Sequence, residues 1–354
     1  MKTALLQQLA CPVCRGGLAL NDVQARDDQE VLTGLLRCEA CGRGYPVAGG
    51  IPDLRSPDGR EREQRIGRTY GYVWSRSRQA GGRTVPSRLH IERVRETAAG
   101  LEIQGPWALE IGCGPGRDIA ALAAEYPGIQ WIGMDIHAAW PELAALARQR
   151  SNLHFVRGSA LAAPFPAQRF GFAYSYGVLH HTPDPEQGFR ELVRVLAPGR
   201  AFAVYLYEAH EGSPAKRAAL AAVTVVRGLT RRLPPTLLYG LCTLASPLVV
   251  LCFSWPARLL SWFPGSRALS ARIPFHFGRG LFSLTTDLYD RFGSPIERRY
   301  TAAELQGWYR RAGLDARLAH PADVAGWIGW GWKRDGWGAP ESAVTASQQA
   351  GGGG

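Results

Sequence analysis

Lysine is nearly missing from this sequence. Lys2, Lys216 and Lys333 are the only three, so a formal net charge of +11 rests almost wholly on arginines scattered along 354 residues. A scattered arginine surplus suits an anionic partner such as RNA, a phosphorylated metabolite or a membrane, yet it marks no patch and decides nothing alone. A long apolar run at the start is also lacking, because Gln7 and Gln8 interrupt Met1-Lys2-Thr3-Ala4-Leu5-Leu6 too soon for a secretory leader. No export signal is read there, and the expected location is cytoplasmic. Internal repeats are absent. With 46% hydrophobic and 20% charged residues, the chain can bury a large core and a smaller appendage.

Cysteine is sparse but patterned. Four of the seven form two C-x2-C pairs, Cys11 with Cys14 and Cys38 with Cys41, whereas Cys113, Cys242 and Cys252 stand alone. Paired CxxC turns present four thiolates to one tetrahedral zinc ion, with Gly16, Gly17 and Gly42 easing the wrap; disulfides are the alternative. Four protein ligands would close the shell, making the zinc structural. The runs Leu9 to Cys14, Arg37 to Val47 and Gly50 to Leu54 resemble the small zinc-ribbon activator proteins of tRNA, rRNA and translation-factor methyltransferases. That resemblance implies a scaffold, fused in cis, that carries no chemistry itself.

Further along, apolar strands alternate with helical periodicity: strands at Trp107–Ile111, Gln130–Met134, Leu153–Arg157, Gly171–Tyr176 and Arg200–Tyr205, helices at Asp118–Glu125 and Pro185–Leu196. This spacing implies a mostly parallel sheet. Leu109-Glu110-Ile111-Gly112-Cys113-Gly114-Pro115-Gly116 follows a strand and opens a helix, the context in which a glycine loop lets a ligand approach the backbone. A bare glycine loop leaves dinucleotides open, but Glu110 would repel a pyrophosphate and suits a methionyl ammonium group. Asp135, ending the second strand, can take both hydroxyls of a ribose, or simply cap the next helix.

Together with Pro164-Phe165-Pro166, Phe170 to Ser175 and Val178-Leu179-His180-His181-Thr182-Pro183-Asp184-Pro185, residues 107–206 resemble the class I methyltransferase family that includes the quinone-biosynthesis enzymes. The resemblance implies an α/β, Rossmann-like class I methyltransferase sheet, here with an N-terminal zinc ribbon and a helical cap insertion. It implies S-adenosyl-L-methionine held by Glu110, Gly112, Cys113, Gly114, Gly116, Asp135, Ile136, Ser159, Ala160 and Tyr176. Two positions depart from the family: Ser159 replaces the Asp near adenine, and Gly171 replaces an Asp opening the fourth strand. His180 and His181, at the end of that strand, are candidates for a catalytic base or for the floor under the transferred methyl.

The expected divisions are 1–56 zinc ribbon, 57–100 linker and N-terminal helices, 101–210 cofactor-binding core, 211–299 apolar cap, 300–335 the rest of the catalytic domain and 336–354 a disordered tail. The charge-dense stretch 57–68 reads as a solvated linker or exposed helix, and Asp287 to Pro295 as a loop over the cleft. Thr236 to Ala257 runs 22 residues without charge, flanked by arginines. It reads as a soluble cap, an interfacial attachment through 236–263 or a membrane span. The acceptor expected is a small or lipophilic molecule, O-methylation being favoured. Alternatives are an rRNA methyltransferase, although no Asn-Pro-Pro-Tyr motif follows the fourth strand, and a catalytically silent binding protein.

Overall fold

The computed structural model describes residues 1–27, 30–56, 60–79, 89–137, 140–270, 273, 281–321 and 324–334. The tail expected to be disordered lies outside them. After a short helix α1 (Thr3–Leu6), four antiparallel strands follow in chain order, β1 (Leu18–Asp27), β2 (Glu30–Cys38), β3 (Gly44–Ala48) and β4 (Ile51–Pro52). Then come α2 (Arg60–Gln79) and α3 (His90–Thr97). From Arg60 on, the charge-dense stretch is therefore the first part of a 20-residue helix, whose later turns bury Ile66, Thr69 and Val73.

The next elements are β5 (Trp107–Ile111), α4 (Arg117–Glu125), β6 (Gln130–Asp135), α5 (Trp140–Arg148), β7 (Leu153–Arg157), β8 (Phe170–Tyr176), α6 (Pro185–Val195) and β9 (Leu196–Tyr207). Helix α6 starts where Asp184 accepts from the Gln187 N–H at 3.0 Å and Pro185 supplies a preset φ. The inserted helices are α7 (Pro214–Thr230), α8 (Pro235–Val249), α9 (Trp255–Ser261), α10 (Arg267–Ser270) and α11 (Leu281–Gly293). A π-helical turn at Val250–Ser254 joins α8 to α9, between Pro247 and Pro256, whose missing N–H groups break the regular ladder. Helix α12 (Ala302–Arg311), opened by a Thr301/Glu304 capping box, precedes β10 (Leu314–Ala319) and β11 (Gly326–Lys333).

The segment Asp287 to Pro295, expected as a loop, lies mostly in α11. Its buried Leu284, Thr285, Leu288 and Tyr289 fall at helical spacing, and Pro295 marks the exit.

Seven strands form one sheet in the order β10-β11-β9-β8-β5-β6-β7. All neighbours from β9 to β7 are parallel, and β11 runs antiparallel to both β9 and β10. Strands β7 and β8 are buried on both faces, as a helix-covered parallel sheet requires. Strand order reverses between β5 and β8, so a crevice opens at their C-terminal ends. Gly171 is where the chain crosses itself: a Cβ there would lie 2.1 Å from the Gln104 carbonyl oxygen, so the aspartate expected from the resemblance has no room.

The ribbon shares the sheet's core. Leu5, Leu9, Leu36, Tyr45, Val47 and Leu54 belong to one buried cluster with Leu109, Ile111 and Phe165. Lys2 Nζ donates to the carbonyls of Ala147, Arg150 and Leu153 at 2.7, 2.6 and 2.9 Å, a cation placed at the negative end of α5. Arg15 donates to Glu191 at 2.9 Å and to the Ala163 carbonyl at 2.7 Å, while the Leu54 N–H reaches the Arg157 carbonyl of β7 at 2.7 Å.

Candidate active site and metal centre

The four CxxC sulfurs converge, every pair lying within 4.8 Å. Cys11 and Cys41 Sγ are 3.7 Å apart and Cys14 and Cys38 Sγ 3.4 Å apart, and no cysteine is joined in a disulfide. A tetrahedral zinc with 2.3 Å bonds separates its sulfurs by about 3.8 Å, so this donor set fits the ion. Gly16 is obligatory here, since a Cβ would sit 2.7 Å from Ala40 Cβ and 3.2 Å from the Cys38 sulfur. The centre is distant in function from the crevice but connected to it. Asp53, just beyond β4, pairs with Arg157 at 3.1 Å, and Arg157 Nε contacts the Ile136 carbonyl beside Asp135.

At the crevice, Gly112, Gly114 and Gly116 all take positive φ between β5 and α4. A Cβ on Gly112 would lie 2.1 Å from Val178 Cγ2, and one on Gly114 would meet the Trp74 ring of α2 at 3.3 Å. Asp135 is held by three amides, Oδ2 accepting from Gly114 at 2.8 Å and Oδ1 from Ile136 and His137 at 2.7 and 3.0 Å. It thus braces the glycine loop while keeping part of its carboxylate at the surface. His137, not anticipated from sequence, is fully buried with Nε2 2.6 Å from the Gly114 carbonyl. Glu110 is buried beneath the loop, and its Oε2 has no hydrogen-bond partner. Burial, then Asp118 and Asp135, push its carboxyl well above the carboxylate range. A buried acid with one oxygen unpartnered fits a cationic group such as the ammonium of S-adenosylmethionine.

The other expected cofactor residues divide. Cys113 turns its sulfur into the sheet against Gly133 and is buried, which raises its thiol pKa. Ser159 spends its hydroxyl on the Leu161 N–H at 3.2 Å, tying its own loop, with half-buried Ala160 next to it. Tyr176 stacks between His90 and Tyr205, with centroids at 4.4 and 4.3 Å.

Beyond β8 the two histidines differ sharply. His180 is fully buried, stacked on Tyr207 at 3.8 Å, and neither ring nitrogen has a partner. Burial, then His181 and Arg299, drive it far below the ordinary histidine range, so it is neutral. His181 Nδ1 lies 2.9 Å from the Ile296 carbonyl, which only accepts, so Nδ1 is the donor and, in the neutral ring, Nε2 holds the lone pair. Ser294 Oγ, 3.0 Å from Nδ1, accepts from Tyr70 Oη at 3.2 Å and donates to the same carbonyl. Glu297 stands behind: burial alone would raise its pKa, but Arg299 and Arg227 hold it below the usual range. Asp290 of α11 leaves Oδ1 buried without a partner and, after burial itself, raises the phenols of Tyr70 and Tyr207.

Trp74, Tyr70 and Tyr207 thus join the site without having been singled out in the sequence, whereas Asp290 and Ser294 belong to the segment expected over the cleft. The signal for the first two was the run Ile66, Tyr70, Val73, Trp74 at helical spacing inside a charged stretch.

Residues 109–204 match the family model described as a methyltransferase domain, and residues 2–50 match that of Trm112p-like protein. Among curated proteins, the phthiotriol/phenolphthiotriol dimycocerosates methyltransferase of Mycobacterium tuberculosis is 31% identical over 147 residues, 42% of this chain and 54% of that protein. The 2-phytyl-1,4-naphtoquinone methyltransferase of Thermosynechococcus vestitus is 40% identical over 108 residues, 28% of this chain and 46% of the other. The chain therefore spans about half the length of the curated relatives it matches. Among solved structures, the complex between the Haloferax volcanii Trm112 methyltransferase activator and a methyltransferase is 16% identical, covering 75% of this chain and 97% of that one with a TM-score of 0.40. Residues 109–204 are thus similar to a methyltransferase domain, with a Trm112p-like segment at residues 2–50 ahead of them.

Proposed function

We propose that this chain transfers a methyl group from S-adenosylmethionine to a lipid or other small lipophilic acceptor, with oxygen as the favoured acceptor atom. The observation that carries the reading is the buried Glu110 carboxyl, its Oε2 unpartnered, beneath a glycine loop that Asp135 braces. Relatives named for dimycocerosates, for fatty-acid O-methylation and for a naphthoquinone support the acceptor class. The cofactor, once bound, supplies an electrophilic methyl on a sulfonium. Glu110 would meet its ammonium and the exposed part of Asp135 its ribose hydroxyls.

The protein's own residues do the rest. Such a transfer depends chiefly on alignment and dryness, and Tyr70, Tyr207 and the buried His180 ring provide an apolar wall. His181 Nε2 is the basic nitrogen, oriented through Nδ1 by the Ile296 carbonyl, and would take the proton of an acceptor hydroxyl. His180, neutral and unpartnered, would orient that hydroxyl rather than carry its proton. Zinc on Cys11, Cys14, Cys38 and Cys41 would be structural.

The test is two-part. Calorimetry should give an Asp135→Ala variant at least about tenfold weaker for S-adenosylmethionine, because buried amide and ribose bonds are lost together. Labelled cofactor with lipid, metabolite and RNA fractions should mark the lipid fraction. Label in RNA alone would overturn the acceptor class, and unchanged affinity would place the cofactor elsewhere.

A further inference from the structure

Helices α8 and α9 run as one apolar helix, Pro235–Ser261, 27 residues long, of whose most apolar window only 17% is buried. Its exposed side is a stripe. Leu237, Leu241, Leu244, Leu248, Leu251, Trp255, Leu259 and Trp262 recur every three or four residues and are 47–74% exposed. The opposite side is occupied: Leu238, Cys242 and Ser246 are buried, and Ser246 Oγ meets Thr285 Oγ1 of α11 at 2.8 Å. Tyr72 of α2 touches Tyr239 and Tyr289 at 5.7 and 5.9 Å, fastening α8 and α11 to the helix that lies over Gly114.

Charge selects the occupant. Between Glu211 and Asp287 there is no acidic residue, while the same segment holds Lys216 and eight arginines. Lys216, Arg217, Arg231, Arg232, Arg258 and Arg267 are exposed within the same insertion. A second copy of this face would bring like charges together, and a folded acidic protein would leave the leucine stripe unmatched in kind. An anionic bilayer matches both features, with Trp255, Trp262 and Phe263 at one end suited to the headgroup boundary.

We propose that the α7–α9 insertion is a monotopic docking surface for anionic membranes. The helix lies in the interface plane. It does not cross, since its inner face is packed on α11, and spanning would drag Asp287, Asp290 and Arg291 into hydrocarbon. This goes beyond the methyltransferase reading, and binding is measured without cofactor or acceptor, so either can fail alone.

The purified chain is sedimented with phosphatidylcholine vesicles, with and without about one third phosphatidylglycerol. Co-sedimentation with the anionic vesicles, released by alkaline carbonate, is expected. The doubly charged Leu244→Glu/Leu248→Glu variant should lose it while keeping the wild-type melting temperature, both positions being solvent-facing. Arg231→Glu/Arg232→Glu should lower partitioning on anionic vesicles by about tenfold or more, since each basic residue near such a surface adds roughly a fivefold factor. Four results would overturn the proposal: no binding to either vesicle, equal binding to both, retention through carbonate, or a wild-type dimer that the double Glu variant converts to monomer without vesicle binding.

Discussion

At the residue scale, the sharpest consequence concerns protons. Glu110 has its pKa raised by burial and by Asp118 and Asp135, so below that raised value the free protein holds it neutral, whereas an ammonium beside it favours the carboxylate. Cofactor binding should therefore release a proton at pH values below the raised one, and weaken as pH falls. Calorimetry in buffers of different ionisation enthalpy reads this directly, and Glu110→Gln should abolish the release. His181 predicts a different signature. Its replacement by Ala should lower kcat by about 10²–10⁴-fold with cofactor affinity nearly unchanged, whereas His180→Ala should act mainly on KM for the acceptor. Equal effects of the two substitutions would remove the distinction drawn from the Ile296 contact.

At the element scale, the β5–α4 loop tolerates no side chain at Gly112, where φ is 81° and Val178 fills the space. Gly112→Ala should cost about 1–3 kcal/mol of stability by thermal melting, and Val178→Ala should restore only part, since the backbone strain remains. Much of this region was legible from sequence because a parallel sheet buries short apolar runs on both faces, and the glycine loop sits between two of them. The CxxC spacing was equally plain, because metal ligation leaves few ways to space four thiolates. Helix α2 was harder: charges at Arg60 to Arg65 mask the Ile66, Tyr70, Val73 stripe that packs inward. Asp290 and Ser294 were placed only within a segment read as a loop over the cleft, without partners, for another reason. They meet His181 and Tyr70 only because α11 folds back across an insertion, and no local pattern encodes a contact spanning more than a hundred residues.

At the scale of the molecule, the ribbon and sheet share one core, so loss of metal should be felt throughout. Cys38→Ser should lower the melting temperature of the whole chain and leave less than one zinc per molecule by elemental analysis; an unchanged melting temperature would show the ribbon to be energetically separate. Acid should attack the same seam. His154 of β7, bonded to Gln130 at 2.9 Å, has its pKa lowered to about 3 by burial, then by Lys2 and the N-terminus. Because the folded value lies below the unfolded value near 6.5, stability is complete above about pH 6.5 and drains away as pH falls toward 3. His154→Gln should flatten the slope of melting temperature between pH 7 and 5. The covalent continuity of ribbon and catalytic domain has one more effect, which appears on dilution. A ribbon held only by contacts such as Lys2 on α5 and Arg15 on Glu191 would dissociate from its partner domain at low concentration, but a tethered one stays at a fixed local concentration. Turnover per molecule should therefore stay constant from micromolar down to nanomolar enzyme, where a two-chain assembly would fade.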